Sequence, residues 1–264
     1  MIAAACRGAL LAFGLACASA AWPQAKTLDP GALTNKAMRQ AMLVERIARL
    51  YAQVGQSVLG PRSRRTLPDA MREFSTGLTE LSAAASTPEL RENYVMLRKL
   101  WESYTPIASQ PPSLEGTKKI AERTEEIAWI AAKGARLFQS QVGLARTELA
   151  MAAGEMRWQS QRIAKLHLLR HTGVRTEGVV IELATADAAY AAAAGQLKDA
   201  EALLPELAED LRAAESQYLF LGQAAGRLAT RANVARELEY IAKTGDNLLE
   251  VTDRVARLCE PLRK

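Results

Sequence analysis

Ala153-Gly154-Glu155-Met156-Arg157-Trp158-Gln159-Ser160-Gln161-Arg162-Ile163-Ala164-Lys165-Leu166 decides how the chain is read, because a degraded copy stands 116 residues earlier. That copy is Ala37-Met38-Arg39-Gln40-Ala41-Met42-Leu43-Val44-Glu45-Arg46-Ile47-Ala48-Arg49-Leu50. Setting Arg46 on Arg162 also brings Ala37 onto Ala153, Ile47-Ala48 onto Ile163-Ala164 and Leu50 onto Leu166. A second pair agrees: Glu126-Ile127-Ala128-Trp129-Ile130-Ala131-Ala132-Lys133-Gly134 lines up with Glu237-Leu238-Glu239-Tyr240-Ile241-Ala242-Lys243-Thr244-Gly245 at an offset of 111, which Leu137 and Leu248 keep. Two matches at nearly equal offsets mark a duplicated unit of about 115 residues.

The composition fixes the class of both units. Hydrophobic residues make up 49% of the 264 but aromatics only 5%, and the alanine- and leucine-rich remainder is the profile of long packed helices. No stretch alternates as a strand does, so the expectation is all-α. The net charge of +5 comes from interspersed charges. Arg62, Arg64 and Arg65 form the tight basic cluster and read as a solvated loop after Gly60-Pro61. Nothing resembles a nucleic-acid module.

Residues 1–20 read as an export signal: Arg7 is followed by an apolar run from Gly8 to Ala18 and by the small residues Ala18-Ser19-Ala20. The expectation is a periplasmic protein. A lipoprotein attached through Cys17 is the weaker reading, since Gly14 stands where that processing site usually has leucine. No other segment is apolar for long enough to span a membrane. With Cys6 and Cys17 in the signal, Cys259 is a lone thiol, expected as a small buried residue of the last helix.

Residues 21–32 read as a spacer, 33–142 as unit one and 143–264 as unit two. The first helix is expected from Leu33 to Leu59, stopped by Gly60-Pro61. Leu67-Pro68-Asp69 opens the second, carried by Met71, Phe74, Leu78 and Leu81. Ser86-Thr87-Pro88-Glu89 caps the third, with Leu90, Tyr94, Leu97 and Trp101 on one face and Pro106 and Pro111-Pro112 at its end. From Ser113 the helical pattern has no convincing stop before Leu169, and it predicts a long rod, continuous or kinked, shared by the two units. Three more helices follow, over residues 176–203, 205–228 and 232–262. The result is two tandem antiparallel four-helix bundles.

The repeated stretch resembles the first helix of the type IV pilus chemotaxis transducer N-terminal (PilJ-type) domain, whose pattern is close to A-G-R-Q-R-M-L-S-Q-R-M-A-K. Copy two matches at Ala153, Gly154, Arg157, Ser160, Gln161, Arg162, Ala164 and Lys165, and copy one at Ala37, Arg39, Gln40, Met42, Leu43, Arg46 and Ala48. The same helix is similar to the nitrate-sensing box of the NarX and NarQ sensor kinases, A-G-x-x-R-x-x-S, matched here by Ala153, Gly154, Arg157 and Ser160. In those kinases paired arginines from two subunits hold one nitrate. Trp158 departs from the methionine usual at its position.

The residues themselves support a narrower statement. At about 100° per residue, Gly154, Arg157, Ser160, Gln161 and Ala164 lie along one stripe, where small side chains admit a second helix close to a guanidinium. Such a fork of donors suits a planar oxyanion. Arg157, Gly154, Ser160 and Gln161 are therefore the candidate ligand-binding residues, with Arg39 the next candidate, although a bundle arginine is more often solvated or salt-bridged. Copy one carries Met38, Ala41, Val44, Glu45 and Ala48 on this stripe, so a two-arginine site requires a homodimer pairing copy two with copy two across Gly154 to Ala164. Arg46 and Arg162 are expected to tie their helices to a carboxylate or loop. Trp101, Trp129 and Trp158 read as core or interface anchors. His167 and His171 have a zinc-compatible spacing but no third ligand, and no catalytic motif or cofactor site is present. The expectation is a non-enzymatic sensor module for nitrate or nitrite that signals through a separate protein partner. The alternative is a ligand-free helical scaffold or adaptor of the cell envelope.

Overall fold

The computed structural model describes residues 29–142, 147–171, 174, 178–229 and 233–260. The expected export signal and most of the spacer lie outside them. Among the described residues there are eight helices and no strand: α1 (Pro30–Gly55), α2 (Gly60–Ala84), α3 (Pro88–Ala108), α4 (Leu114–Ser140), α5 (Glu148–Leu169), α6 (Val179–Asp199), α7 (Leu207–Ala229) and α8 (Val234–Leu258). None is long and apolar enough to cross a membrane.

Local chemistry sets the starts of several helices. Asp29 accepts a hydrogen bond from the Gly31 N–H at 2.8 Å, so α1 opens at Pro30 and takes in the end of the expected spacer. Thr87 accepts from Leu90 N–H at 3.3 Å and Ser113 from Gly116 N–H at 2.9 Å, the side-chain caps that free helix donors require. Gly60-Pro61 begins α2 rather than only ending α1. A proline in the first turn lacks an N–H that would have had no helical partner, and the turn is made upstream, with Ser57 and Leu59 at φ of 57° and 49°. Arg62, Arg64 and Arg65 thus lie on the first turns of α2, not in a loop. Pro68 and Pro106 sit inside α2 and α3. The rod expected from Ser113 to Leu169 is two helices: α4 is capped at Gln141, and α5 begins at Glu148.

Helices α1 to α4 form one bundle and α5 to α8 a second, each closed by its first helix packing on its last. The bundles join along α1 and α5, the two copies of the repeated stretch. This position explains the sequence of both. An outer helix such as α2 buries eight of its 25 residues along one stripe, whereas α5 buries 16 of 22, because it meets α6 and α8 on one side and α1 on the other. Met42, Leu43, Val44 and Ile47 of α1 have no exposed surface, each contributing about 1.5–3 kcal/mol relative to an exposed side chain.

The two cores interlock. Trp158 of α5 and Leu249 of α8 pack in the core of the first bundle, and Val58 packs in that of the second. Where α1 crosses α5, a Cβ added to Gly154 would stand 2.5 Å from Met38 Cβ. Gly154 therefore sets the separation of the units. We expect Gly154→Ala to lower stability by about 1–3 kcal/mol despite alanine's better helix propensity. Gly195→Ala, whose new methyl meets nothing within 4 Å, should raise stability by up to about 1 kcal/mol. Urea unfolding of the two variants reads the contrast directly.

Candidate functional site

The stripe of α5 that carries Arg157 faces the seam between the bundles. Met38 covers Gly154, so α1 of the same chain fills the surface through which a second copy was expected to dock. Ser160 Oγ donates to the Arg157 carbonyl at 2.7 Å, and Gln161 Nε2 donates to the Gly245 carbonyl at 2.9 Å. Both side chains are buried and bonded within the fold, although Gln161 Oε1 has no hydrogen-bond partner among the described residues.

Arg157 is 1% exposed. Its Nη1 donates to Asp253 Oδ1 at 2.8 Å, and its Nη2 donates to the carbonyl and the Oδ1 of Asn35 at 3.0 and 2.7 Å. Only Nε lacks a hydrogen-bond partner. A second guanidinium reaches the same carboxylate oxygen, since Arg39 Nη1 donates to Asp253 Oδ1 while its Nε donates to Glu73. Arg257 pairs with the other oxygen, Oδ2, at 2.9 Å. The sequence suggested that Ala41 precludes two arginines on one anion within a single chain. Arg39, two residues before Ala41, supplies the second from α1, and the anion is the protein's own.

The electrostatics follow from burial. Removal from water pulls the Arg157 guanidinium down to about 10, with Asp253 opposing the shift, and it stays charged at neutral pH. Burial alone would raise the Asp253 carboxyl, but Arg157 and Arg39 outweigh it and hold the group below its usual range.

Two further ionic clusters lie on the same seam. Lys165, 1% exposed, pairs with Glu45 and with Glu125, each at 2.7 Å. Arg162 joins Glu125 at 2.6 Å, and Trp158 Nε1 donates to Glu45 Oε1 at 3.3 Å. Burial alone would lower the Lys165 ammonium, but the two glutamates outweigh it and raise it. Arg49, buried, donates to Asp246 at 2.5 Å and to the Ala242 carbonyl at 3.0 Å. Arg162 thus ties α5 to a carboxylate as expected. Its counterpart Arg46 has no ion-pair partner among the described residues, and burial together with Arg49 lowers its pKa.

The remaining candidates are placed as follows. Trp101 and Trp158 are buried, whereas Trp129 is 55% exposed on α4. His167 is half-buried, and desolvation with Arg170 and His171 pushes it down to about 4. Among the described residues no three His, Cys, Asp or Glu side chains could hold a metal. Cys259 is a buried free thiol, raised to about 12 by that burial. Sequence reasoning missed Asp253 and Asn35. Asp253 lies beside the buried Thr252 on the edge of the apolar stripe of α8, where an aspartate reads as solvated.

Chemically, the site is a pair of cations that share an internal carboxylate, Asp253, with Glu73 as the second counter-ion of Arg39. Compared with family models, with curated proteins and with solved structures, the chain matches none. The class defined by fold and site is an all-α double bundle with ionic clusters along its seam.

Removing one member of a buried pair leaves its partners uncompensated. We expect Arg157→Met to cost about 3 kcal/mol or more, not the small change of a surface arginine. The depressed carboxyls of Asp253, Asp246 and Glu125 add a pH dependence. Their contribution is complete above the ordinary carboxylate pKa of about 4 and is lost as the pH falls below it. Denaturant midpoints measured at pH 7 and at pH 3 should fall steeply for the unmodified protein and less steeply for Asp253→Asn, which starts lower.

Proposed function

We propose that the chain is a helical scaffold or adaptor of the cell envelope, ligand-free at its motif helix. In this reading Asp253 takes the role that an external oxyanion has in the sensor domains that α5 resembles. The observation that carries it is the Asp253 carboxylate, which receives Arg157 and Arg39 on one oxygen and Arg257 on the other. A carboxylate, like nitrate, is a planar oxyanion satisfied by in-plane charged donors, and with Asp253 and Glu73 in place each of the two cations has a counter-ion within the chain. The export signal read from residues 1–20 supports the envelope as the place of action. Binding to a protein partner then uses the outside of the molecule, where Val180 and Ile181 of α6 and Leu219 and Phe220 of α7 are exposed, the kind of apolar surface that partner contacts cover.

A second reading, a nitrate or nitrite sensor, is favoured by the same convergence of two guanidiniums, provided that the anion displaces Asp253. Thermal melting separates the two. A ligand at a hundred times its dissociation constant adds about 2.7 kcal/mol, or about 5–10 °C for a chain of this size. Millimolar nitrate or nitrite is expected to leave the melting temperature of the unmodified protein unchanged. The same anions should raise that of Asp253→Ala, whose Arg157 has lost its counter-ion. A rise of several degrees in the unmodified protein would replace the scaffold reading with the sensor.

A further inference from the structure

The first bundle is open between α2 and α3. These two helices, which carry Pro68 and Pro106 inside them, meet less closely than the other consecutive pairs of their bundle. A proline in a helix removes a donor and crowds the preceding turn. The space left is a cleft of about 850 Å³, within the range of about 300–1,000 Å³ typical of small-molecule sites.

The chemistry of the lining narrows what can enter. Leu67 and Met71 from α2 and Trp101 and Ala108 from α3 form its walls, and Pro111 and Pro112 add to the lining. Trp101 is held in place by stacking on Phe74, with ring centres 4.1 Å apart. The polar groups beside it are already used: Ser75 Oγ accepts from Trp101 Nε1 at 3.0 Å, and Thr105 Oγ1 donates to the Trp101 carbonyl at 2.8 Å. Thr76, Ser109 and Gln110 also line the cleft, but most of its wall is apolar. Among the described residues the charged lining residues are Arg64 and Arg72, and no carboxylate lines the cleft. Arg72 is engaged by Asp69, whereas Arg64, exposed, has no ion-pair partner among the described residues.

We propose that this cleft binds an amphiphilic monoanion, an aliphatic carboxylate of fatty-acid type, with its chain against Leu67, Met71 and Trp101 and its carboxylate on Arg64. The inference goes beyond the scaffold reading and does not depend on Arg157 or Asp253. An exposed ion pair contributes little on its own, so burial of the chain supplies most of the affinity and Arg64 selects the sign of the head group.

Calorimetric titration with dodecanoate below its micelle concentration tests this, with dodecyltrimethylammonium and acetate as comparison ligands. Saturable binding of one dodecanoate is expected, about tenfold weaker for the cationic amphiphile and undetectable for acetate. Arg64→Glu, at an exposed and unpaired position, should keep the melting temperature of the free protein and weaken dodecanoate about tenfold. Thr105→Phe, which fills the cleft from α3, should abolish binding; if that variant fails to fold, Arg64→Glu decides alone. Absence of saturable binding, equal affinity for the cationic amphiphile, or undiminished affinity in Arg64→Glu overturns the proposal.

Discussion

The crossing of α1 over α5 at Met38 and Gly154 is the constraint on which the rest of the molecule depends. A glycine at that point lets two backbones approach until a methyl group would collide with Met38 Cβ, and the closeness has two effects. It buries both helices on nearly every side, and it brings arginines, a lysine and glutamates of opposing helices within ion-pair distance out of water. With a longer separation, Lys165 would not reach Glu45 in α1, and Arg157 would lose Asn35.

Charge buried in this way is weak evidence for added stability. Desolvation of each ion costs several kcal/mol, and the attraction repays that only when the remaining donors and acceptors are satisfied. The Asp253 cluster comes close to that condition, with three guanidiniums on one carboxylate and Asn35 taking the other nitrogen of Arg157. What such clusters fix well is alignment. Sliding α1 along α5 by one turn would leave Arg157, Lys165 and Glu45 uncompensated in the interior, so the seam has a single register.

The fold was largely legible in the sequence because apolar spacing and caps are local. Thr87 and Ser113 name the starts of α3 and α4 from adjacent residues alone, and the paired stretches announce the duplication. Legibility failed where the deciding partner is distant. Gly60-Pro61 reads equally as a stop and as a start, and only the left-handed Ser57 and Leu59 upstream show that the turn is finished before Gly60. No stop was visible between Ser113 and Leu169, because α4 ends on Ser140 and Gln141, residues that a helix also tolerates. Arg157 was correctly singled out as unusual, but its burial depends on α1 and α8, and Asp253 sits 96 residues away. Helical spacing gives the direction of a side chain, not the identity of what stands opposite.

The interlocked cores also bear on the order in which the molecule can be completed. Arg49 lies in the first helix, and its carboxylate partner is 197 residues downstream; Asn35 meets the Ala256 carbonyl across 221 residues. Trp158 belongs to the core of the first bundle yet is made after all four of that bundle's helices. During synthesis the leading half therefore holds an unfilled core and unpaired charges until α5 arrives, and α1 stays incomplete until α8 does. Local helix formation is fast, but closure over such spans is slow. The duplicated halves are therefore not two beads that fold in turn; they form one cooperative body finished at its last helix.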